Sequence, residues 1–412
     1  MRISPKWLCR GGAGAGIVLV TALAVLAGCG SQTSGQAQPT ATTTPTTATS
    51  THPTGPVVTT PISGITMFSA TTGWGSMQTS GIAYTVDGGH TWYNVTPPGV
   101  TPPDQCTIDL YPMSATDAWS WLTAAPFSGM ANPNTTCTGS RSTTLWYTTD
   151  TGSHWRAFTV PTILVSQLDF TDSLHGWLAA NSSGSAVGPT PLAIWRTTDG
   201  GATWAPVASC PVYGTTTGIS FANATTGFVS HASGDPLPYF LSVTHDGSST
   251  WSGVSMPTPP GYSQPVATQV EPPIFTSATA GVLEVSYGSN VSKPPFLTVY
   301  RTTDTGASWQ LGPTLSGSAG GGLFEASFMS SVLSTGEVFV APMENELGQV
   351  TVYQLPVGAT SWTKIGTERS SAALLRAITR LDFVNPTTGW AVTSSGLIGT
   401  SDGGVTWTVL HA

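Results

Sequence analysis

Six aspartates sit in a setting that could carry chemistry. Asp87, Asp150, Asp199, Asp246, Asp304 and Asp402 each stand five residues before a tryptophan, at Trp92, Trp155, Trp204, Trp251, Trp309 and Trp407. Each also follows a threonine by two residues, at Thr85, Thr148, Thr197, Thr244, Thr302 and Thr400. Glycine fills the first or second place after every one of them. A hydroxyl fills the fourth place in all copies but one, where His154 stands. A carboxylate at the head of a tight turn accepts hydrogen bonds from the N–H groups just ahead of it. Glycine supplies positive φ at little cost, and the tryptophan offers a large apolar face to the layer below. The unit therefore reads as a self-capped β-hairpin whose carboxylate serves the bend and not a reaction. A seventh, worn copy ends at Trp362, with Val357 in the aspartate position.

Other groups that do chemistry are scattered. His90, His154, His175, His231, His245 and His411 show no metal-ligand spacing, and no nucleophile elbow or phosphate-binding glycine loop is present. The reading assigns no catalytic residue, no metal and no cofactor. Glu271, Glu284, Glu325, Glu337, Glu344 and Glu346 are the acids from which a glycosidase pair would have to come, if they met in space. Glu284 and Tyr287 are near neighbours, but an offset of three places them on opposite faces of one strand.

The elements that position these residues are strands. A second motif recurs upstream of each aspartate, at 68–74, 113–119, 170–177, 221–228, 275–282, 328–338 (the loosest) and 383–390. Each reads as a strand end, a turn rich in Thr, Asn and Gly, and a second strand. Added to the aspartate hairpin it makes four strands per unit and seven units. The seven tryptophans are 45 to 63 residues apart, against the roughly 40–50 that a propeller blade needs. Longer intervals imply inserted loops, the largest at about 96–142 and others at 234–240, 257–273 and 312–322. The expected fold is all-β, a seven-bladed β-propeller over 62–412, with six or eight blades if a unit is miscounted. How the ring closes is not evident from the sequence.

The unit S/T-x-D-x-G-x-T-W resembles the Asp-box, or bacterial neuraminidase repeat, of sialidases, sortilin-type receptors and the photosystem II stability/assembly factor family. That resemblance implies a propeller; function it implies only weakly, since propellers host unrelated activities. Sialidases carry three arginines on the substrate carboxylate, a Tyr/Glu pair, an Asp acid and an N-terminal Phe-Arg-Ile-Pro motif. The motif is absent here, and Arg141, Arg156, Arg196, Arg301, Arg369, Arg376 and Arg380 do not form an evident triad. The assembly-factor family ties partner binding to a basic surface, whereas this chain has a formal net charge of −8.

Residues 1–28 read as a lipoprotein signal peptide: Arg2, Lys6 and Arg10 precede a short apolar core, then Leu26-Ala27-Gly28-Cys29 resembles a lipobox. Cys29 is the expected lipidation site, followed to residue 61 by a disordered Thr/Pro/Ser-rich linker without charge. The mature protein is expected outside a bacterial cytoplasm, tethered to the membrane through its lipid. Without the three basic residues of the signal its net charge is −11. Such a balance argues against nucleic acid as a partner. Cys106 and Cys137 are expected to form a disulfide. Cys210 reads as a buried free thiol, pairing with one of the other two being the alternative. The functional expectation is a monomeric scaffold for protein interaction or assembly, its partner a protein or envelope glycan. A sialidase-like hydrolase or carbohydrate-binding propeller is the alternative. Carboxylates or three arginines converging on the central channel would favour hydrolysis; Thr, Ser and aliphatic groups there would favour scaffolding.

Overall fold

The computed structural model describes residues 53, 55–78, 81–102, 106–124, 142–160, 165–181, 192–207, 216–231, 240–260, 267–287, 296–316, 328–342, 349–369, 378–394 and 396–411. All regular structure among them is β, in seven antiparallel sheets. Blade 1 holds β1 (Ile62–Met67), β2 (Gly73–Met77), β3 (Gly81–Thr85) and β4 (Tyr93–Asn94). Blade 2 holds β5 (Cys106–Pro112), β6 (Ala118–Ala124), β7 (Thr143–Thr148) and β8 (Arg156–Val160). Blade 3 holds β9 (Val165–Phe170), β10 (Gly176–Asn181), β11 (Leu192–Thr197) and β12 (Ala205–Val207). Blade 4 holds β13 (Thr216–Phe221), β14 (Gly227–His231), β15 (Leu241–Thr244) and β16 (Ser252–Gly253). Blade 5 has five strands, β17 (Ala267–Val270), β18 (Ile274–Phe275), β19 (Gly281–Tyr287), β20 (Phe296–Thr302) and β21 (Gln310–Ser316). Blade 6 holds β22 (Phe328–Val332), β23 (Val338–Pro342), β24 (Gln349–Leu355) and β25 (Thr363–Arg369). Blade 7 holds β26 (Ile378–Phe383), β27 (Gly389–Thr393), β28 (Gly396–Thr400) and β29 (Thr408–His411).

Burial follows position in the blade. The middle strands β3, β14, β15, β19, β27 and β28 are buried at every residue, while the last strands β8, β16 and β29 are largely exposed. A strand covered on both faces reads as a near-continuous apolar run, and the covers here are the neighbouring blades. An aromatic relay joins them. Trp119 of blade 2 stacks on Phe170 of blade 3, Trp177 on Phe221 of blade 4, and Phe228 on Phe275 of blade 5. Phe339 on Phe383 repeats the contact between blades 6 and 7, with rings 4.1 Å apart. In the loosest unit the relay residue is therefore Phe339, one place beyond the expected Val338.

The ring closes by packing the last blade on the first. Met67, Ala83 and Trp92 share one apolar cluster with Trp390, Val392 and Leu397. The Trp390 indole donates to the Gly88 carbonyl at 2.8 Å, and His411 Nε2 lies 3.0 Å from the Thr60 carbonyl. Each end blade holds four strands of its own. The chain is already paired ahead of β1: Val58 N–H donates to Trp92 O, and Asn94 N–H to Pro56 O.

Candidate functional site

The six aspartate turns share one geometry. The threonine hydroxyl donates to Oδ1 of the aspartate (2.9 Å for Thr85–Asp87, 2.7 Å for Thr302–Asp304) and accepts the amide two residues beyond that aspartate, as from Gly201 at 2.9 Å. Oδ1 also accepts the amide at the fourth place, and Oδ2 takes that residue's own donor: Thr203, Thr250, Ser308 and Thr406 hydroxyls, or His154 Nδ1, each at 2.6 Å. These bonds hold Asp304 down at about 2, with the Ser308 hydroxyl the largest cause, and Asp199 below its usual range in the same way through Thr203. Both residues after each aspartate have positive φ, including the non-glycines Thr151, Ser248 and Thr305. The first of them donates its amide to the inner turn of the same blade, as Gly88 N–H does to Thr71 O and Gly403 N–H to Thr387 O. The second packs under the preceding blade: a Cβ on Gly306 would lie 2.3 Å from the Phe228 ring. Every bond of these carboxylates serves the hairpin. At the worn copy Val357 is 60% exposed and the hairpin between β24 and β25 forms without a carboxylate.

The candidate site lies on the axis instead. A cavity of about 870 Å³ is lined by Thr66, Tyr111, Asp169, Ser220, Gln269, Ser330 and Arg380, one residue from the first strand of each blade. The same first strands carry the joints between blades, of which Tyr111, Gln167, Asp169 and Ser220 line the cavity while Ser331 and Asp382 lie outside its lining. Asp169 accepts the Phe221 amide of blade 4, and Asp382 accepts the Met67 amide of blade 1 at 2.6 Å. Tyr111 accepts the Phe170 amide at 3.0 Å, Ser331 the Phe383 amide at 2.8 Å, and Ser220 donates to the Pro273 carbonyl. Gln167 bonds Ile219 through both its amide oxygen and its amide nitrogen. Loss of bulk water pushes Asp169 and Asp382 up to about 6 against the amide bonds that pull the other way. Asp109 is pushed up to about 6 by the same burial, opposed by Arg380.

Blade 5 departs from the others, and the reason is local. Pro272 and Pro273 have no N–H, so the first strand breaks between β17 and β18. Glu271 donates its amide to the Glu284 carbonyl, and the chain then bulges toward blade 4, where Ser220 holds Pro273 O and Thr217 holds Val270 O. Gly218 makes room for Pro272; a Cβ there would sit 2.5 Å from its ring. The bulge opens the channel wall onto the second strand, so Glu284 of β19 lines the cavity although only 5% exposed. Glu284 Oε2 accepts the Ser330 hydroxyl, while Oε1 has no partner. Burial pushes this carboxyl up to about 7; Glu271 raises it further and Arg301 opposes.

The expected residues fall out as follows. The twelve Asp and Trp positions lie on the hairpins, away from the channel lining. Glu271 and Glu284 do meet at the cavity, with Gln269 donating to Glu271. Tyr287 points away and bonds the Tyr300 hydroxyl at 2.8 Å. The channel thus holds carboxylates, which the sequence reading reserved for hydrolysis. One of them, Asp169, is a blade joint, and Arg380 is the arginine that lines the cavity among the described residues. Arg196 lies over the Trp177 ring at 5.5 Å, and Arg301 donates to the Gly336 carbonyl. Cys106 is disulfide-bonded. Cys137, expected to hold the other end, lies outside the described residues, as do Cys29, Cys210, Arg141, Arg376, Glu325, Glu344, Glu346 and the parts 103–105 and 125–141 of the loop expected at 96–142, whose described part holds β5 and β6. Among the described residues no three His, Cys, Asp or Glu side chains are placed to hold a metal, and no helix is long and apolar enough to cross a membrane.

No protein-family profile matches the sequence, and no curated protein matches it. Solved structures do. The GH74 xyloglucanase of Xanthomonas campestris superposes with a TM-score of 0.57 at 15% identity, over 86% of this chain and 55% of that one. YCF48 bound to D1 peptide gives 0.52 at 16% identity, over 84% of this chain and 93% of that one. An ancestral GH74 enzyme gives 0.52 at 12% identity, over 87% and 47%. The chain therefore spans about half the length of the GH74 enzymes and most of the length of YCF48. At these identities the likeness is one of architecture: this chain is a seven-bladed β-propeller built on the same plan as the photosystem II assembly factor YCF48 and the GH74 propellers.

Proposed function

We propose that this protein is an extracytoplasmic scaffold, tethered to the membrane through lipid on Cys29, that seats a partner in its axial channel. The observation that carries this reading is the use made of the channel's acids. Of the lining acids, Asp169 spends a carboxylate oxygen on the Phe221 amide of the next blade, which makes it a joint of the ring; Asp382, outside the lining, does the same for Met67. The wall that remains mixes aliphatic, aromatic and polar side chains with Glu271 and Glu284, the composition of a recognition surface. YCF48, a propeller of similar length, was solved with a peptide bound, which makes a peptide segment the first partner class to test. The test is photo-crosslinking in the native envelope from a benzoylphenylalanine placed at Gln269, with the exposed Val405 as control. A discrete adduct from position 269 and none from 405 supports the reading. Equal labelling from both, or none from either, contradicts it.

One observation favours a second reading, a glycan-acting propeller. Glu284 stands at about 7 beside Glu271 in the cavity, and a raised carboxyl next to another is how glycosidases hold a general acid. Turnover of a glycan, and not binding alone, separates the two.

A further inference from the structure

We propose that residues 55–60 form a clasp across the seam between blades 7 and 1, and that tension on the chain ahead of them unfastens this clasp before any blade gives. The inference does not depend on what the channel seats. Its starting point is the route by which the chain enters the ring. Residues 55–60, expected as the end of the linker, run antiparallel along β4. Asn94 N–H donates to Pro56 O and Val58 N–H to Trp92 O, both at 2.8 Å, with Val57 opposite Tyr93 between them. Gly55 lies so close to Asn94 that a Cβ there would overlap its carbonyl oxygen. The segment then spans the seam. Val58, 6% exposed, shares one apolar cluster with Trp92 of blade 1 and with Trp390, Val392 and Leu397 of blade 7. Thr60 O meets His411 Nε2 of β29 at 3.0 Å.

The hold is light, and its order is set by the chain. Val58 is the buried residue of the segment; Pro56, Val57 and Thr59 are exposed. Pro56 and the following Pro61 have no N–H to add. The next element, β1, is held far more firmly. It pairs with β2 from Ile62 to Met67, and the Met67 amide is also taken by Asp382 of blade 7. A segment with little buried apolar surface and exposed backbone bonds opens ahead of the fold that carries it. A pull arriving through Gly55 therefore meets the Asn94 bond first, then Val58, then His411, and only afterwards the β1–β2 ladder. Unfastening frees the outer edge of β4 and takes one apolar side chain out of the seam. The Asp382–Met67 joint and the packing of Trp390 on blade 1 remain. The clasp thus yields slack between the tether and the ring, and the blades stay assembled while it does so.

The experiment is optical-tweezers stretching of the full chain with handles at its two ends. The expected result is an early, reversible lengthening of about 20 Å, the contour of the extended clasp, at a force below that which opens a blade. V58A should unfasten at a lower force than wild type. G55A, whose Cβ meets the Asn94 carbonyl, should be unfastened from the start and lack the early step. Neither should change the later opening of the blades. A wild type that opens in one event with no earlier step, or an early step identical in G55A and V58A, would overturn the inference. Native-state hydrogen exchange of the wild type decides the matter if the variants are unstable. The Val58 and Asn94 amides should exchange at least about tenfold faster than the Met67 amide; equal protection of all three would overturn the inference too. Crosslinking from position 269 reports on the scaffold reading alone, so either can fail without the other.

Discussion

The Asp382 carboxylate accepts the Met67 amide at 2.6 Å, joining blade 7 to blade 1 across 315 residues of sequence. The same arrangement, an inner-strand side chain on the amide of the next inner strand, recurs at Tyr111–Phe170, Asp169–Phe221 and Ser331–Phe383. A propeller without a shared closing strand depends on such joints and on the aromatic relay outside them.

Removing a joint should open the ring from one seam. D382A leaves the Met67 amide with no acceptor, a loss of about 1–3 kcal/mol, whereas D382N keeps an acceptor oxygen and should lose under about 1 kcal/mol. Urea unfolding of the two variants against wild type reads the difference. Equal effects of Ala and Asn would mean that the bond does not hold the seam.

Among the described residues Ser248 is the non-glycine held furthest into positive φ, at 86°, and its buried hydroxyl has no partner. S248G removes both penalties and should stabilise the protein by about 1 kcal/mol. G306A does the opposite, since its Cβ collides with Phe228. Thermal melts should move up for the first and down for the second.

Stability should respond to pH in two opposite stages. Asp109, Asp169, Asp382 and Glu284 have folded values of about 6, 6, 6 and 7, above their ordinary ones, so the folded state binds more protons in that window. Their contribution is full below about pH 4 and is lost as pH rises through 6 to 7. The turn aspartates are depressed, Asp304 to about 2, so theirs is present above about 4 and lost below it. The melting temperature should therefore rise from pH 8 to about 5 and fall again below 4. A melting temperature that climbs steadily from pH 5 to 8 would refute this.

The tether is tested by C29A. The wild type should partition with membranes and take up labelled fatty acid; C29A should do neither. Membrane association unchanged in C29A would move the anchor elsewhere.

What could be read from the sequence was what is local. The aspartate turns close within five residues, so residue type and spacing declared them, down to the exception at His154. The threonine two places earlier was noticed without its task, which is to accept the amide beyond the aspartate as well as to donate. The blade joints were missed because their partners lie 52 to 315 residues apart and the residue type varies among Tyr, Asp and Ser. A signal existed: a polar residue recurs just before the last residue of the first strand, at Tyr111, Asp169, Ser220, Ser331 and Asp382. Glu284 was one of six equivalent glutamates in the sequence. What singles it out is the Pro272–Pro273 break in another strand, whose effect is to uncover it.

Binding without turnover is the central claim, and end-product release tests it most directly. The full chain and the E271Q/E284Q double variant would be incubated with xyloglucan, arabinan, a sialyl-oligosaccharide and envelope glycan, and new reducing ends followed at pH 5 to 8. The account predicts no release above buffer from either protein. Release by the wild type that the double variant abolishes, with its fold intact, would make the channel an active site and contradict the account.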